Sequence, residues 1–148
     1  MRFSLSTVAQ SLADYLSKFP EFQGVTFYQD PTQQQAVPCL FLQQTYSDIK
    51  PGIGGFLYRT IGLNLTYLVD YNLPNMQQIY QEAAEALDLL LETFPYMDGE
   101  NMTEVRTYER HWDIDLDALN YKFELRIRQR KADQFNPMET MTYNAEVL

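Results

Sequence analysis

The sequence predicts an α+β fold in which two helices pack on a mostly antiparallel sheet, in the order α-β-β-β-α-β-β with an optional final strand. Two segments repeat apolar residues at spacings of three and four, which is the period of an amphipathic helix. Several other segments alternate apolar and polar residues, which is typical of a strand with one wet face. Because the 148 residues show no internal repeat or compositional break, residues 1–148 are expected to form one domain.

Charge and composition exclude several classes of protein. The chain has 11 basic and 20 acidic residues, a net charge of −9, which argues against a protein that coats nucleic acid. Cys39 is the only cysteine, so no internal disulfide or cysteine metal pair can form. No segment approaches the roughly 20 apolar residues of a membrane span, and the N-terminus lacks the apolar run of a signal peptide. We therefore expect a soluble chain that is not exported by that route.

The first predicted helix occupies the N-terminal segment. Its apolar face consists of Leu5, Val8, Leu12, Leu16 and Phe19. Ser4 is one candidate cap, and Thr7 with Gln10 has the spacing of a capping box. Pro20 disfavours helical geometry at the preceding residue, so the helix is expected to end at Phe19.

Three strands are predicted before the second helix. Residues 24–28 are β-branched and aromatic, and residues 38–42 form a continuous apolar run that indicates burial on both faces. Residues 61–70 have a strong period of two and predict a third strand. Residues 48–55 hold three of the six glycines, so we expect no regular element there but a hairpin loop or a mobile arm.

The second predicted helix runs from Asn75 to Phe94, with Pro95 closing it. Its broad apolar face consists of Ile79, Tyr80, Ala83, Ala84, Leu87, Leu90, Leu91 and Phe94. At about 1.5 Å per residue this helix would be roughly 30 Å long, about the width of a small domain.

A hairpin is predicted from residues 107–130, since alternation is strict from Tyr121 to Arg130 and the residues before Asp117-Ala118 also alternate. A two-residue loop there gives the apolar pairs Leu116–Leu119, Ile114–Tyr121, Trp112–Phe123 and Tyr108–Ile127. The same register gives the polar pairs Asp113–Lys122, His111–Glu124 and Glu109–Arg126. A one-residue slip would place apolar residues opposite charges, so both faces select this register. The misfit is Arg110 opposite Leu125, and a longer loop of the same parity would preserve the facing.

Residues with potential chemistry were weighed against simpler structural roles. His111 has no nucleophile motif near it, so a surface cross-strand contact is expected. Asp113, Asp115 and Asp117 alternate like the start of a calcium loop but lack its glycine and its distant glutamate. A solvated hairpin end is therefore favoured over a weak cation site. No catalytic, cofactor-binding or metal-ligating residue is predicted.

Arg126, Arg128 and Arg130 lie on one face of the last long strand. They could bind an anion or an acidic partner, but pairing with Glu109 and other carboxylates, or an outward subunit surface, is favoured. Nucleic-acid binding is disfavoured because that strand face lacks interleaved aromatic residues. Seven of the eleven basic residues fall in this final hairpin region: Arg106, Arg110, Lys122, Arg126, Arg128, Arg130 and Lys131.

Six segments form a recognisable series along the chain. They are Lys18-Phe19-Pro20, Pro38-Cys39-Leu40-Phe41-Leu42, Tyr58-Arg59-Thr60 after the Gly-rich loop, the helix from Asn75 to Leu91, Asp117-Ala118-Leu119-Asn120-Tyr121-Lys122-Phe123, and Met138-Glu139-Thr140-Met141. With this series the chain resembles small tail terminator proteins from tailed phages and prophages of Gram-positive bacteria. Ala118 stands where that family often has glycine, a departure that concerns the turn geometry.

The resemblance implies a structural role with no catalysis and no cofactor. Terminators of this type form rings, usually homohexamers, that cap the head-proximal end of the tail tube and stop its polymerisation. The implied partners are further copies of the chain, the tail tube protein and the head connector, with DNA passing through without specific binding. The implied location is the virion, at the head-proximal end of the tail, after assembly in the host cytoplasm.

A closed ring needs two different patches that meet on neighbouring copies. The candidate interface residues are Ile49, Gly52, Gly54, Gly55, Arg59, Asp115, Asp117, Arg126, Arg128, Arg130, Met138, Met141 and Tyr143. Residues 132–148 are expected to form a C-terminal arm or a final strand, which joins the chain's own sheet or a neighbour's. Two alternatives stay open: another neck or head–tail joining component, and a small soluble ligand-binding domain or enzyme with a pocket of convergent polar groups.

Overall fold

A computed structural model of the chain describes residues 3–28, 37–70, 72–115, 117–130 and 145–147. Its helices are α1 (Leu5–Leu16) and α2 (Met76–Leu90). Its strands are β1 (Thr26–Tyr28), β2 (Cys39–Pro51), β3 (Phe56–Leu68), β4 (Thr93–Asp98), β5 (Asn101–Arg106), β6 (Tyr108–Asp115), β7 (Ala118–Arg130) and β8 (Ala145–Val147). The α+β class is confirmed, but the predicted order is wrong in one respect, since β4 and β5 are two strands that it did not contain.

The main sheet has the strand order β1-β2-β3-β7-β6, and β8 also pairs with β7. Among the described strand pairs, β1 and β2 are parallel and the others are antiparallel. β6 and β8 share one edge of β7, because β6 pairs with its first half and β8 pairs with Ile127–Gln129. The predicted strand at Met138–Tyr143 lies outside the described residues.

The hydrophobic core lies between one face of this sheet and the two helices. Odd-numbered residues from Ile61 to Tyr67 of β3 and from Leu119 to Ile127 of β7 face the core, and so do Leu40 and Leu42 of β2. Cys39 is fully buried too, as predicted from its apolar strand, and burial raises the pKa of its thiol. Even-numbered residues of β3 and β7 therefore point to the opposite face, called here the outer face.

Both helices end earlier than predicted. Ser4 caps α1, since its Oγ accepts a hydrogen bond from the Thr7 backbone N–H at 3.1 Å, and α1 ends at Leu16 rather than Phe19. A 3₁₀ turn at Pro20–Phe22 follows it. α2 ends at Leu90, four residues before the predicted Phe94.

Pro95 lies inside β4 instead of closing α2, so that prediction is wrong. β4 and β5 form a separate two-stranded sheet, in which every strand is an edge and a missing N–H is tolerated. Phe94 and Tyr96 are fully buried, and the backbone N–H of Met97 donates to Ser11 Oγ at 3.0 Å. The hairpin is therefore docked on α1 rather than left in solvent.

The segment 48–55 is not wholly irregular, which corrects the sequence prediction. β2 continues through Asp48 to Pro51, and a four-residue turn of residues 52–55 leads into β3. The irregular segment is therefore confined to residues 52–55, which hold the three glycines. β1 pairs only with Cys39–Phe41, so within the described chain β2 has no second strand partner from Leu42 to Pro51. The hairpin from Tyr46 to Thr60 is called the arm below.

The β6–β7 hairpin has the predicted facing but a register displaced by two residues. Asp115 pairs with Ala118, and Asp117, in the turn between them, has φ 64°. Trp112 pairs with Tyr121 rather than Phe123. On the outer face Asp113 pairs with Asn120 and His111 with Lys122, not with Glu124.

A bulge between Tyr108 and His111 overturns two further predicted pairs. Tyr108 pairs with Glu124 and turns to the outer face, and Glu109 adopts φ 54°, so Tyr108–Ile127 and Glu109–Arg126 do not form. The Arg110 guanidinium donates to the Asp88 carbonyl at the end of α2. The predicted misfit at Arg110 therefore marks the place where the strand bulges.

Candidate assembly surfaces

The root of the arm is held by one aromatic contact on the outer face. Tyr46 lies over Gly62, and a Cβ placed on Gly62 would overlap its ring. The Tyr46 hydroxyl donates a short hydrogen bond to the Glu124 carboxylate of β7. Burial, together with this bond and the negative charge of Glu124, raises the pKa of Tyr46 to about 12. Gly62 therefore permits a contact that ties β2 to β7 across β3.

The three arginines of β7 lie against aromatic rings. The Cζ of Arg126 is 4.0 Å from the ring centroid of Tyr108. The Cζ atoms of Arg128 and Arg130 are 4.8 Å and 5.4 Å from that of Phe56. The rings come from neighbouring strands, so the premise that this face lacks interleaved aromatics is wrong. The overall charge of −9 still argues against nucleic-acid coating.

The carboxylate that meets Arg126 differs from the predicted one. The Arg126 guanidinium is 3.9 Å from Glu124, whereas the predicted partner was Glu109. Arg126 and Arg130 are exposed, and Arg128 is half-buried. In register, Arg128 pairs with Glu146 of β8. Arg126 and Arg130 are therefore the two arginines best placed to meet another molecule.

The Gly-rich turn at the tip of the arm needs its glycines for backbone reasons. Gly54 and Gly55 adopt φ of 72° and 80°, which side chains disfavour. A Cβ on Gly52 would overlap the ring of Tyr58. Ile53, between them, is 90% exposed, the highest value among the large apolar side chains described. The tip is thus a tight turn that presents one apolar side chain.

Several predicted interface residues converge at the arm. Ile49, which is 45% exposed, pairs in register with Arg59, and Arg59 pairs with Ile127 on its other side. The Nε of Arg59 is buried without a hydrogen-bond partner among the described residues. Arg126, Arg128 and Arg130 follow on the adjacent strand. The structure therefore brings the Gly-rich turn, Ile49, Arg59 and the arginines to one end of the sheet.

Asp115 and Asp117 do not belong to that group. They lie at the β6–β7 turn, at the start of β7, whereas Arg130 ends it after thirteen residues. At about 3.3 Å per residue the two ends are roughly 40 Å apart. Met138, Met141 and Tyr143 fall outside the described residues.

The polar residues with possible chemistry have structural contacts. Lys122 Nζ is 3.3 Å from Asp113 Oδ2, and His111 Nδ1 is 3.0 Å from the Glu109 carbonyl. No metal-ligating group of three acidic, His or Cys side chains occurs in the part of the chain that the structure describes. A cleft of about 260 Å³ lies beside Tyr46, His111 and Lys122, and its volume is below the range usual for ligand pockets.

An acidic surface on α2 was not singled out from the sequence. Residues 60–105 contain eight acidic residues and no Lys or Arg: Asp70, Glu82, Glu85, Asp88, Glu92, Asp98, Glu100 and Glu104. Glu82, Glu85 and Leu89 are exposed and follow a helical spacing of three and four, which puts them on one face of α2. Leu89 is 83% exposed. These three residues are called the acidic stripe below.

Comparison with known proteins gives one match. A family model described as phage tail terminator protein matches residues 5–137. No curated protein matches the chain significantly. Separately, no helix in the described ranges has the length and apolar character needed to cross a membrane.

Proposed function

The chain belongs to the phage tail terminator protein family, and we propose that it forms a ring that caps the head-proximal end of a tail tube. The ring stops addition of tube protein and presents a docking surface to the head connector. The family is one of structural phage proteins, which supports a location in the virion. In this proposal the chain catalyses no reaction and needs no cofactor, and it assembles in the host cytoplasm as a homohexamer.

The family match carries this proposal because it spans nearly the whole fold. Residues 5–137 include both helices and every strand except β8. The exposed arm adds independent support, since a ring needs a surface on each copy that reaches a different surface on the next copy. The arm carries three charged residues, Asp48, Lys50 and Arg59, and exposes apolar side chains such as Ile49 and Ile53.

The net charge fits a conduit for DNA. Six copies would carry 6 × −9 = −54 charges, and a lumen of that sign repels phosphate instead of binding it. DNA would then pass through the ring without specific contacts. Retention of duplex DNA by assembled rings at about 0.1 M salt, where the Debye length is about 10 Å, would contradict this part of the proposal.

Two measurements test the proposed role. Native mass spectrometry of the whole chain should show a closed ring of six copies. Purified tail tubes incubated with the chain should show one density at one end in negative-stain images, and should then fail to elongate when tube protein is added. Tubes that elongate at the same rate with and without the chain would overturn the capping role.

A different neck or head–tail joining component is the second candidate. The same ring would then bind the connector first and would not stop tube growth. Binding of the ring to connector complexes but not to tube ends would favour this alternative. A compact monomer that binds a small ligand would instead favour a ligand-binding domain or an enzyme.

A further inference from the structure

We infer that the arm surface, meaning the outer face of the arm together with Arg126 and Arg130 of the adjacent β7, binds the acidic stripe on α2 of a second copy of this chain. The inference rests on the proposed ring and assigns its two interface patches. Basic and exposed apolar residues share the arm, and acidic and exposed apolar residues share the stripe. The two surfaces are therefore complementary in both charge and polarity.

The arm side presents cations with fixed geometry. Arg126 and Arg130 are exposed, and each guanidinium lies over an aromatic ring. Stacking occupies the flat face of a guanidinium and leaves its in-plane N–H donors for a carboxylate. Lys50 pairs with Tyr58 in register and therefore shares the outer face. The interface assigned here uses Arg126, Arg130 and Lys50 and does not depend on Arg128.

Carboxylates also lie on the outer face, where Glu124 and Asp48 are beside these cations and Glu109 lines the cleft next to Tyr46. Glu124 accepts the Tyr46 hydroxyl and lies 3.9 Å from Arg126, so its charge is already partly compensated. Asp48 pairs in register with Thr60, beside Arg126. The cross-strand pairs nearer the tip contain Lys50 and Arg130, so positive charge increases toward the tip of the arm.

On the helix side, the carboxylates of the acidic stripe lie in residues 60–105, a segment that contains no Lys or Arg. Glu82 accepts a hydrogen bond from Gln78 Nε2 at 3.1 Å, but neither Glu82 nor Glu85 has a salt bridge within the described chain. Leu89, on the same face, and Ile53, at the arm tip, are the two most exposed large apolar side chains described. An apolar contact at Leu89 would bury surface that a single copy leaves in water.

The cations lie on the outer face of the main sheet, whereas α2 packs on its core face, so the two surfaces point to opposite sides of one copy and their contact is heterologous. Each copy then offers its arm to one neighbour and its α2 to the other, and the assembly closes when the rotation between copies closes. A symmetric dimer does not need this arrangement, because a two-fold interface uses the same patch on both copies.

Charge reversal tests the assignment. The arm variant is Arg126→Glu/Arg130→Glu and the helix variant is Glu82→Arg/Glu85→Arg. In native mass spectrometry at low salt, each variant alone should need at least a tenfold higher concentration than the wild type to form half of its rings. An equimolar mixture should restore rings in which the two variants alternate, and a chain with all four substitutions should assemble by itself.

The controls separate this assignment from the proposed role. Glu100→Arg/Glu104→Arg makes the same charge change away from α2 and should assemble like the wild type. If the wild type forms rings but the arm and helix variants assemble equally well, or if the mixture restores nothing, the assignment is wrong and the ring remains. If the wild type forms no ring at any concentration, both proposals fail.

Binding of nucleic acid is a separate outcome. A fluorescent 30-base-pair duplex should show no more binding to the wild type than to the arm variant at 0.1 M salt. Rings that form normally in the arm variant but lose duplex binding would show that the arginines bind phosphate, which would overturn the assignment.

Discussion

The hydroxyl of Tyr80 connects α2 to two other parts of the fold. Its ring is fully buried, and its oxygen accepts a hydrogen bond from the Val69 backbone N–H at 3.0 Å. The same hydroxyl donates to the Asp117 carbonyl in the β6–β7 turn at 2.6 Å. Tyr80→Phe removes this oxygen and leaves the ring, so the substitution isolates the two hydrogen bonds.

The expected loss of stability depends on which of the two hydrogen-bond partners, the Val69 N–H or the Asp117 carbonyl, water can reach. Val69 is 8% exposed, so its N–H would stay buried without an acceptor, at a cost of about 1–3 kcal/mol. Asp117 is exposed, and water can replace the lost donor to its carbonyl. Tyr80→Phe should therefore lower the free energy of unfolding by about 2 kcal/mol.

Urea unfolding followed by the fluorescence of Trp112, the only tryptophan, measures this loss. With a slope of about 2 kcal/mol per molar urea, the midpoint should fall by about 1 M. Tyr58→Phe is the matched control, since it removes a hydroxyl from a ring that is 41% exposed and should change stability by less than about 0.5 kcal/mol. Both variants must be compared at one protein concentration because assembly would stabilise the folded state. Equal midpoints for the two variants would refute the reasoning.

Three further predictions concern the arm root and the first helix. Gly62→Ala should displace the Tyr46 ring and lower the free energy of unfolding by about 1–3 kcal/mol, and in Tyr46→Ala/Gly62→Ala the two losses should be less than additive. Strict additivity in urea unfolding would contradict this contact. Ser4→Ala should remove the cap of α1, costing about 1 kcal/mol and about 2–4 °C in Tm, whereas the exposed Ser47→Ala should leave Tm unchanged. The pKa of Tyr46 is raised from 10.0 to about 12, so its stabilising effect is complete below pH 10 and is lost as pH rises through 12. The wild type should therefore lose more stability than Tyr46→Phe between those values, and parallel losses would argue against the Glu124 contact.

The β6–β7 hairpin shows what alternation can and cannot determine. Matching apolar and charged faces gave the correct facing of β7, because a one-residue slip reverses every side chain. A two-residue displacement keeps every side chain on its face, so the pattern could not distinguish Trp112–Phe123 from the observed Trp112–Tyr121. The turn geometry decides between them, and Asp117 reaches the left-handed region that a tight turn needs.

The β4–β5 hairpin was missed because one proline was interpreted as a helix terminator. Pro95 follows an apolar face that continues through Leu91 and Phe94, so the helical pattern extends into β4. A usable signal was present in Asp98-Gly99, a dipeptide typical of hairpin turns, and Gly99 adopts φ 63° there. The helical periodicity of residues 75–94 outweighed this turn signal in the prediction.

The candidate interface depended on contacts between strands that are distant in sequence. The arginines of β7 were visible as a pattern, but Phe56 and Tyr108 meet them only through the pairing of β3 and β6 with β7. The bulge that turns Tyr108 outward was signalled by a single misfit. A pattern within one strand cannot reveal such neighbours, since register and bulges fix them.

The long edge of β2 has a consequence for solubility. An extended strand edge without a partner is a template on which other chains can add strands, and β2 leaves such an edge from Leu42 to Pro51 within the described chain. The bulge after Gln44 bends this edge, Asp48 and Lys50 add opposite charges along it, and Pro51 offers no N–H donor. The chain can therefore expose its arm to a neighbour without offering a flat strand edge on which fibrils could grow.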